Sequence, residues 1–153
     1  MSNSDWETWW RNAKEHLAIA KKALNSHMPE MAYERAVYSG ECALKSVLVK
    51  NGLFTASDRI HNQEIILRKI AINMLFNKTI LTQLREIITD IDGIYGLSRV
   101  DLSVGMSHQD CVHIAQTRYP TDEYTSYDML KSGNAKEKIH LAEKLLQILD
   151  GNF

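Results

Sequence analysis

Arg11 and His16 close the run Arg11-Asn12-Ala13-Lys14-Glu15-His16, which carries the letters R-N-x-x-x-H. An Arg and a His on a helix beside a cleft suit RNA cleavage. The imidazole takes or gives a proton while the guanidinium steadies phosphate charge. Positions five apart on a helix lie about 140° apart around its axis, so this pair diverges, and a catalytic role for Arg11 and His16 is the lesser alternative. His108, Asp110, Cys111 and His113 bring zinc-ligand types together within six residues. No second half-site of Cys or His pairs follows, and structural zinc needs four ligands, so a helix start with incidental polar residues is the better reading and no metal is expected. Glu41 and Lys45 stand four apart in the favourable order for a helical side-chain pair, and a solvated helix face is their plainest reading. The chain has no Walker-type phosphate loop, no G-x-G-x-x-G, no H-E-x-x-H and no G-x-S-x-G. No cofactor is implied.

The chain is 153 residues long with a formal charge of −1, so any nucleic-acid contact must come from a local cationic patch rather than the net field. Hydrophobic residues make up 44% and charged residues 24%, as in an ordinary globular protein of one domain, residues 1–153. No apolar run is long enough to span a bilayer, and the N-terminus lacks the pattern of a secretory signal. Cys42 and Cys111 have no C-x-x-C context. Together these predict a cytoplasmic protein with free thiols and no membrane partner.

Helical periodicity runs through the chain, and no segment alternates with period two, so the fold class is all-α. The expected architecture is an up-and-down bundle of four to five long helices plus one short one. The stretch from Met28 to Gly52 is its centre. Ala32, Ala36, Gly40, Ala43 and Val47 form a seam of mostly small residues that lets neighbours approach closely. Tyr33, Val37, Leu44 and Leu48 widen that face. Pro29 suits a first helical turn and Gly52 a C-terminal stop. A first helix is expected from Ser4 or Asp5 to about Ser26, with a Ser4–Glu7 capping box and an apolar stripe through Trp6, Trp10, Ala13, Leu17, Ala20 and Leu24. Trp6, Trp9 and Trp10 spread over more than one face, more apolar surface than a four-helix core needs, which predicts a homodimer. Further helices are expected from Gln63 to about Ile72, from Asn77 or Lys78 to Asp92, and from Asn134 to about Leu149. Between the last two, a short helix is expected from Ser107 through Gln116, and a loop from Thr121 to Gly133. Gly93 to Gly105 is the least regular stretch.

In this order, several landmarks resemble the HEPN family, the small helical domains named for higher eukaryotes and prokaryotes nucleotide-binding. AKEHLAIAKKAL resembles the family's opening helix. Gly40-Glu41-Cys42-Ala43-Leu44-Lys45-Ser46-Val47-Leu48 is similar to its A-E-K-A-L-K-A-L-L helix, with Cys42 where a Lys is usual. His61 fills the place of a His that follows that helix, and Thr117-Arg118-Tyr119-Pro120 matches the T-R-Y-P near the end of the bundle. Ribonuclease members carry R-x(4–6)-H at a late helix. No His lies in range of Arg118, and Arg99 is too far from His108. The resemblance is therefore to the T-R-Y-P branch without that motif, often a binding module partnered with a minimal nucleotidyltransferase.

That resemblance implies a dimeric module that binds a nucleotide or RNA, in a toxin–antitoxin or defence type system, with no chemistry of its own. The alternatives are a metal-independent HEPN ribonuclease with a degenerate motif, and a helical adaptor with no nucleotide affinity. The matched residues Lys45, His61, Arg118 and Tyr119 are the candidate ligand-binding set. Arg supplies a planar fork for phosphate, Lys a point charge, and Tyr a ring that stacks on a base or packs in the core. The alternative for Lys45 is its pair with Glu41, and for Arg118 a pair with Asp122 or Glu123.

Overall fold

The computed structural model describes residues 5–54, 63–92 and 132–153. Among them are five helices and no strand. These are α1 (Trp6–Asn25), α2 (Pro29–Lys50), α3 (Gln63–Ile72), α4 (Lys78–Asp92) and α5 (Ser132–Asp150). The expected α-class holds, and the bounds of α1 to α4 fall within a residue or two of those read from periodicity. α5 starts two residues before Asn134, so Ser132 and Gly133 are helical rather than part of the expected loop. Ser4, and with it the capping box expected there, lies outside the described residues. So do the stretch from Gly93 to Gly105 and the short helix expected from Ser107.

α2 is the central helix, packing against α1, α3 and α5, while α4 packs on α3 and α5. The seam explains this. Ala32, Ala36, Gly40, Ala43 and Val47 are all buried, and Ala13 and Ala20 of α1 and Ala135 and Ala142 of α5 are buried as well. Small side chains on facing helices let the backbones approach, and the contact is closed by Ser39, whose Oγ donates to the Ala13 carbonyl at 2.7 Å. Gly40 marks the tightest point. A β-carbon there would stand 2.9 Å from Gln63 Oε1 and 3.1 Å from Leu145 Cδ2, so glycine is what lets α3 and α5 seat on α2. Gln63 in turn donates from Nε2 to the Val37 carbonyl at 3.0 Å, tying the start of α3 to α2. The C-terminal half of α2 meets Ile66, Ile70, Leu84, Ile88, Leu145 and Leu149 in the larger apolar cluster.

Helix ends are fixed by one device used three times. α1, α2 and α3 each finish with a residue in the left-handed region, His27 (φ 60), Gly52 (φ 70) and Met74 (φ 53). The residue after each returns a hydrogen bond to the helix: Met28 N–H to the Ala23 carbonyl at 2.8 Å, Leu53 N–H to Leu48 at 2.8 Å, and Leu75 N–H to Ile70 at 3.3 Å. These are Schellman motifs, which satisfy carbonyls that the helix end leaves open. α4 opens with Asn77 Oδ1 accepting the Ile80 N–H at 2.9 Å, an N-cap.

The tryptophans pack within the chain. Trp6 and Trp10 meet the Phe153 ring at 5.0 and 4.9 Å between centroids, and Trp9 meets Phe54 edge-on at 5.6 Å. Lys50 Nζ sits 4.7 Å from the Trp6 centroid and 5.1 Å from Phe153. The apolar surplus of α1 is thus largely matched by residues at the ends of α2 and α5.

Candidate functional site

Lys45 projects from the buried face of α2 and is 4% exposed. Its Nζ lies 3.2 Å from Glu41 Oε2 and over the rings of Trp9 and Phe54, at 5.5 and 5.4 Å from their centroids. The pair with Glu41 forms as the four-residue spacing implies, but inside the bundle instead of on a solvated face. A cation so enclosed holds α1, α2 and the Phe54 segment together, and it presents no open charge to a ligand. His61, Arg118 and Tyr119 lie outside the described residues, as do His108, Asp110, Cys111 and His113. Among the described residues no group of three His, Cys, Asp or Glu is placed to hold a metal ion.

The structure separates Arg11 from His16 in role. Arg11 is exposed, whereas His16 turns toward α2. There the Arg35 guanidinium donates from an Nη to His16 Nδ1 at 3.2 Å. A guanidinium has only donors, so Nδ1 must be the acceptor and the imidazole proton sits on Nε2. Burial and then the Arg35 charge push His16 below its ordinary pKa of 6.5, so the ring is neutral near pH 7. Tyr38 lies one turn along α2, its ring centroid 5.9 Å from that of His16. The three half-buried side chains make one patch on the α1–α2 hairpin. It offers a planar cation, an N–H donor and an aromatic ring, a set that can hold an anion and a flat group beside it. The one acceptor nitrogen of the neutral imidazole, Nδ1, is taken by Arg35, so the ring takes up a proton only when that bond opens.

The sequence motif pairs His16 with Arg11, whereas the hydrogen-bond partner of His16 in the structure is Arg35. Arg35 was reachable through the hairpin. In two antiparallel helices joined at Asn25-Ser26-His27, residues equally far from the turn face each other, and His16 and Arg35 each stand about ten residues from Ser26.

Lys138 of α5 is also buried, and its Nζ donates to the Asp90 carbonyl at the end of α4. There it complements the negative end of that helix. Cys42, buried on α2, is a free thiol pushed up to about 11 by its burial and the nearby Glu41 charge, which makes it a poor nucleophile. A groove of about 320 Å³ runs between α1 and α5 over Trp10, Leu17 and Leu146. Lys14 and Lys21 line its α1 side, Glu143 and Asp150 its α5 side, and Lys21 reaches across to Glu143 at 3.3 Å.

The family model of the HEPN domain matches residues 6–152. The chain belongs to the HEPN domain family. The match covers all five described helices, so the resemblance read from the α2 motif and the T-R-Y-P holds at the level of the family. Comparisons of this HEPN domain with curated proteins and with solved structures gave no match. No described helix is long and apolar enough to cross a membrane.

Proposed function

We propose that this HEPN domain is a binding module for a nucleotide or RNA, homodimeric and cytoplasmic, with no chemistry of its own. Its setting is a toxin–antitoxin or defence type system with a minimal nucleotidyltransferase as partner. One observation carries the ligand class: among the described residues Arg35 donates to a neutral imidazole and not to a carboxylate, so that bond leaves its charge in force beside the Tyr38 ring. A phosphate finds there a guanidinium and the His16 Nε2–H, and a base finds a ring. His61, Arg118 and Tyr119 remain candidate ligand residues through the family resemblance. Lys45 enters this reading as a support beneath the hairpin. The dimer reading draws on the family and on the α1–α5 groove. A copy laid across it by a two-fold axis sets the lysine side of each protomer against the acidic side of the other.

Thermal denaturation at low salt tests the ligand class. ATP, GTP or a short RNA should raise the melting temperature, because a ligand that binds only the folded state stabilises it. The Arg35→Gln change should abolish the shift, and Arg118→Gln should weaken it. No shift with any of the three at millimolar concentration refutes the binding reading. Light scattering that gives a monomer at micromolar concentration refutes the dimer.

The His16–Arg35 bond also favours a second reading, metal-independent RNA cleavage by that pair rather than by Arg11 and His16. It requires cleavage of mixed RNA in chelator that is lost in His16→Ala and kept in Arg11→Ala.

A further inference from the structure

The turn from α3 to α4 carries the two most exposed large apolar side chains among the described residues, Ile72 at 72% and Met74 at 85% of their full surface. Met74 also holds the left-handed position of its Schellman motif, φ 53, with its N–H on the Ala71 carbonyl at 3.0 Å. A β-carbon resists that backbone shape, and α2 ends in the same motif with Gly52 instead. Methionine is not among the residue types enriched there. The fold therefore places a flexible apolar side chain where a glycine would be less strained, and leaves it in water. Neither Ile72 nor Met74 is covered by the described residues.

The local sequence is cationic. Between Glu64 and Glu86 there is no Asp or Glu, whereas Arg68, Lys69, Lys78 and Arg85 all fall in that span of a chain whose net charge is −1. Arg68, Lys78 and Arg85 are exposed and Lys69 half-buried. Arg68 and Ile72 are four apart on α3, so they share a face of that helix.

We propose that the α3–α4 tip is a docking knob for a protein partner, one that presents an acidic segment interleaved with apolar side chains. Ile72 and Met74 seat against the partner's apolar residues while its carboxylates meet Arg68, Lys78 and Arg85. Methionine suits such a contact, since its unbranched, polarisable side chain adapts to varied surfaces. Other occupants fit less well. A nucleic acid would engage the cations and leave Ile72 and Met74 wet. A second copy, tip to tip, would oppose like charges. A lipid surface favours aromatic side chains at the point of entry, and all three tryptophans are packed on Phe54 and Phe153 elsewhere in the bundle. One hairpin tip covers less than the roughly 800 Å² per partner of a stable interface, so the contact is weak alone and steeply salt-dependent. It is independent of the nucleotide reading.

Selection of displayed random 15-residue peptides on the full chain tests this, with counter-selection on an Ile72→Asn/Met74→Gly variant. The expected winners combine several Asp or Glu with Leu, Ile, Met or Phe. By fluorescence anisotropy the best peptide should weaken about tenfold or more against either single variant, the change of one lost anchor. Arg68→Gln should weaken it too, and Arg35→Gln should leave it unchanged. Met74→Gly should raise the melting temperature, so its loss of binding cannot come from unfolding. The proposal fails if no peptide is enriched, if the winners lack acidic residues, or if their binding ignores Ile72 and Met74. It also fails if, instead of peptide, phosphatidylcholine vesicles containing phosphatidylserine or a poly-uridine RNA bind through those two residues.

Discussion

Replacing Lys45 by Met keeps the aliphatic stem and removes the ammonium. Glu41, 8% exposed, then loses the cation 3.2 Å from its Oε2. Removing one partner of a buried ion pair costs about 3–5 kcal/mol. Loss of the contacts to Trp9 and Phe54, at 5.5 and 5.4 Å, adds roughly 0.5–1 kcal/mol each. A domain of this size has about 8–15 kcal/mol of stability in total, so Lys45→Met should remain folded but by a reduced margin. The total is about 4–7 kcal/mol, so at roughly 2–4 °C per kcal/mol its melting temperature should fall by about 8–28 °C. Urea titrations of wild type, Lys45→Met, Glu41→Gln and the double variant measure the coupling. Neutralising both partners removes the stranded charge, so the double variant should recover at least about 2 kcal/mol over the sum of the single losses. A Lys45→Met protein within about 1 kcal/mol of wild type, or a double variant equal to that sum, would refute the enclosed-pair reasoning.

Three further outcomes follow from named contacts. Gly40→Ala gains about 1 kcal/mol of helix propensity, but its methyl strikes Gln63 and Leu145. Overpacking costs about 1–3 kcal/mol and loosening the Gln63 bond to Val37 about 1 more, so a net loss of about 1–3 kcal/mol is expected in urea. Cys42, pushed from 9.0 up to about 11, should react with a thiol reagent about a hundredfold more slowly in the folded than in the urea-unfolded chain, from thiolate fraction alone; equal rates would contradict its burial. His16 titrates lower folded than unfolded, so the unfolded chain binds the extra proton. Its contribution is therefore fully present above pH 6.5 and is lost as pH falls toward the folded value; His16→Gln should flatten that part of the stability profile.

The helices were legible because each carries its own record: the small seam of α2, the buried Ile66, Leu67 and Ile70 of α3, and Leu84, Ile87, Ile88 and Ile91 of α4. Lys45 shows where local spacing stops. A four-residue interval says that Glu41 and Lys45 meet, but the rings that flank Lys45 come from elsewhere, Trp9 from α1 and Phe54 from beyond the end of α2. The His16–Arg35 bond depends on the register of the α1–α2 hairpin, and helix periodicity along one chain segment does not contain it. Met74 was invisible for a different reason. Its left-handed backbone follows from the geometry of the Schellman motif, and nothing in the preferences of methionine announces it. His61, Arg118 and Tyr119 were legible only through likeness to a family, and they lie outside the described residues.

The central claim is that Arg35, held by a neutral His16, binds the phosphate of a nucleotide or RNA. Equilibrium titration of the purified chain with a labelled short RNA, at low and high salt, tests it most directly. Binding should weaken sharply as the screening length falls from about 10 Å at 0.1 M to about 3 Å at 1 M. It should change as pH falls through the range where His16 gains a proton, because protonation of Nδ1 breaks the bond that holds Arg35 while adding a charge that attracts an anion. Arg35→Lys should bind less well than charge conservation implies, since the planar fork is lost, and Arg35→Gln should not bind. Binding that is indifferent to Arg35, salt and pH would contradict the account.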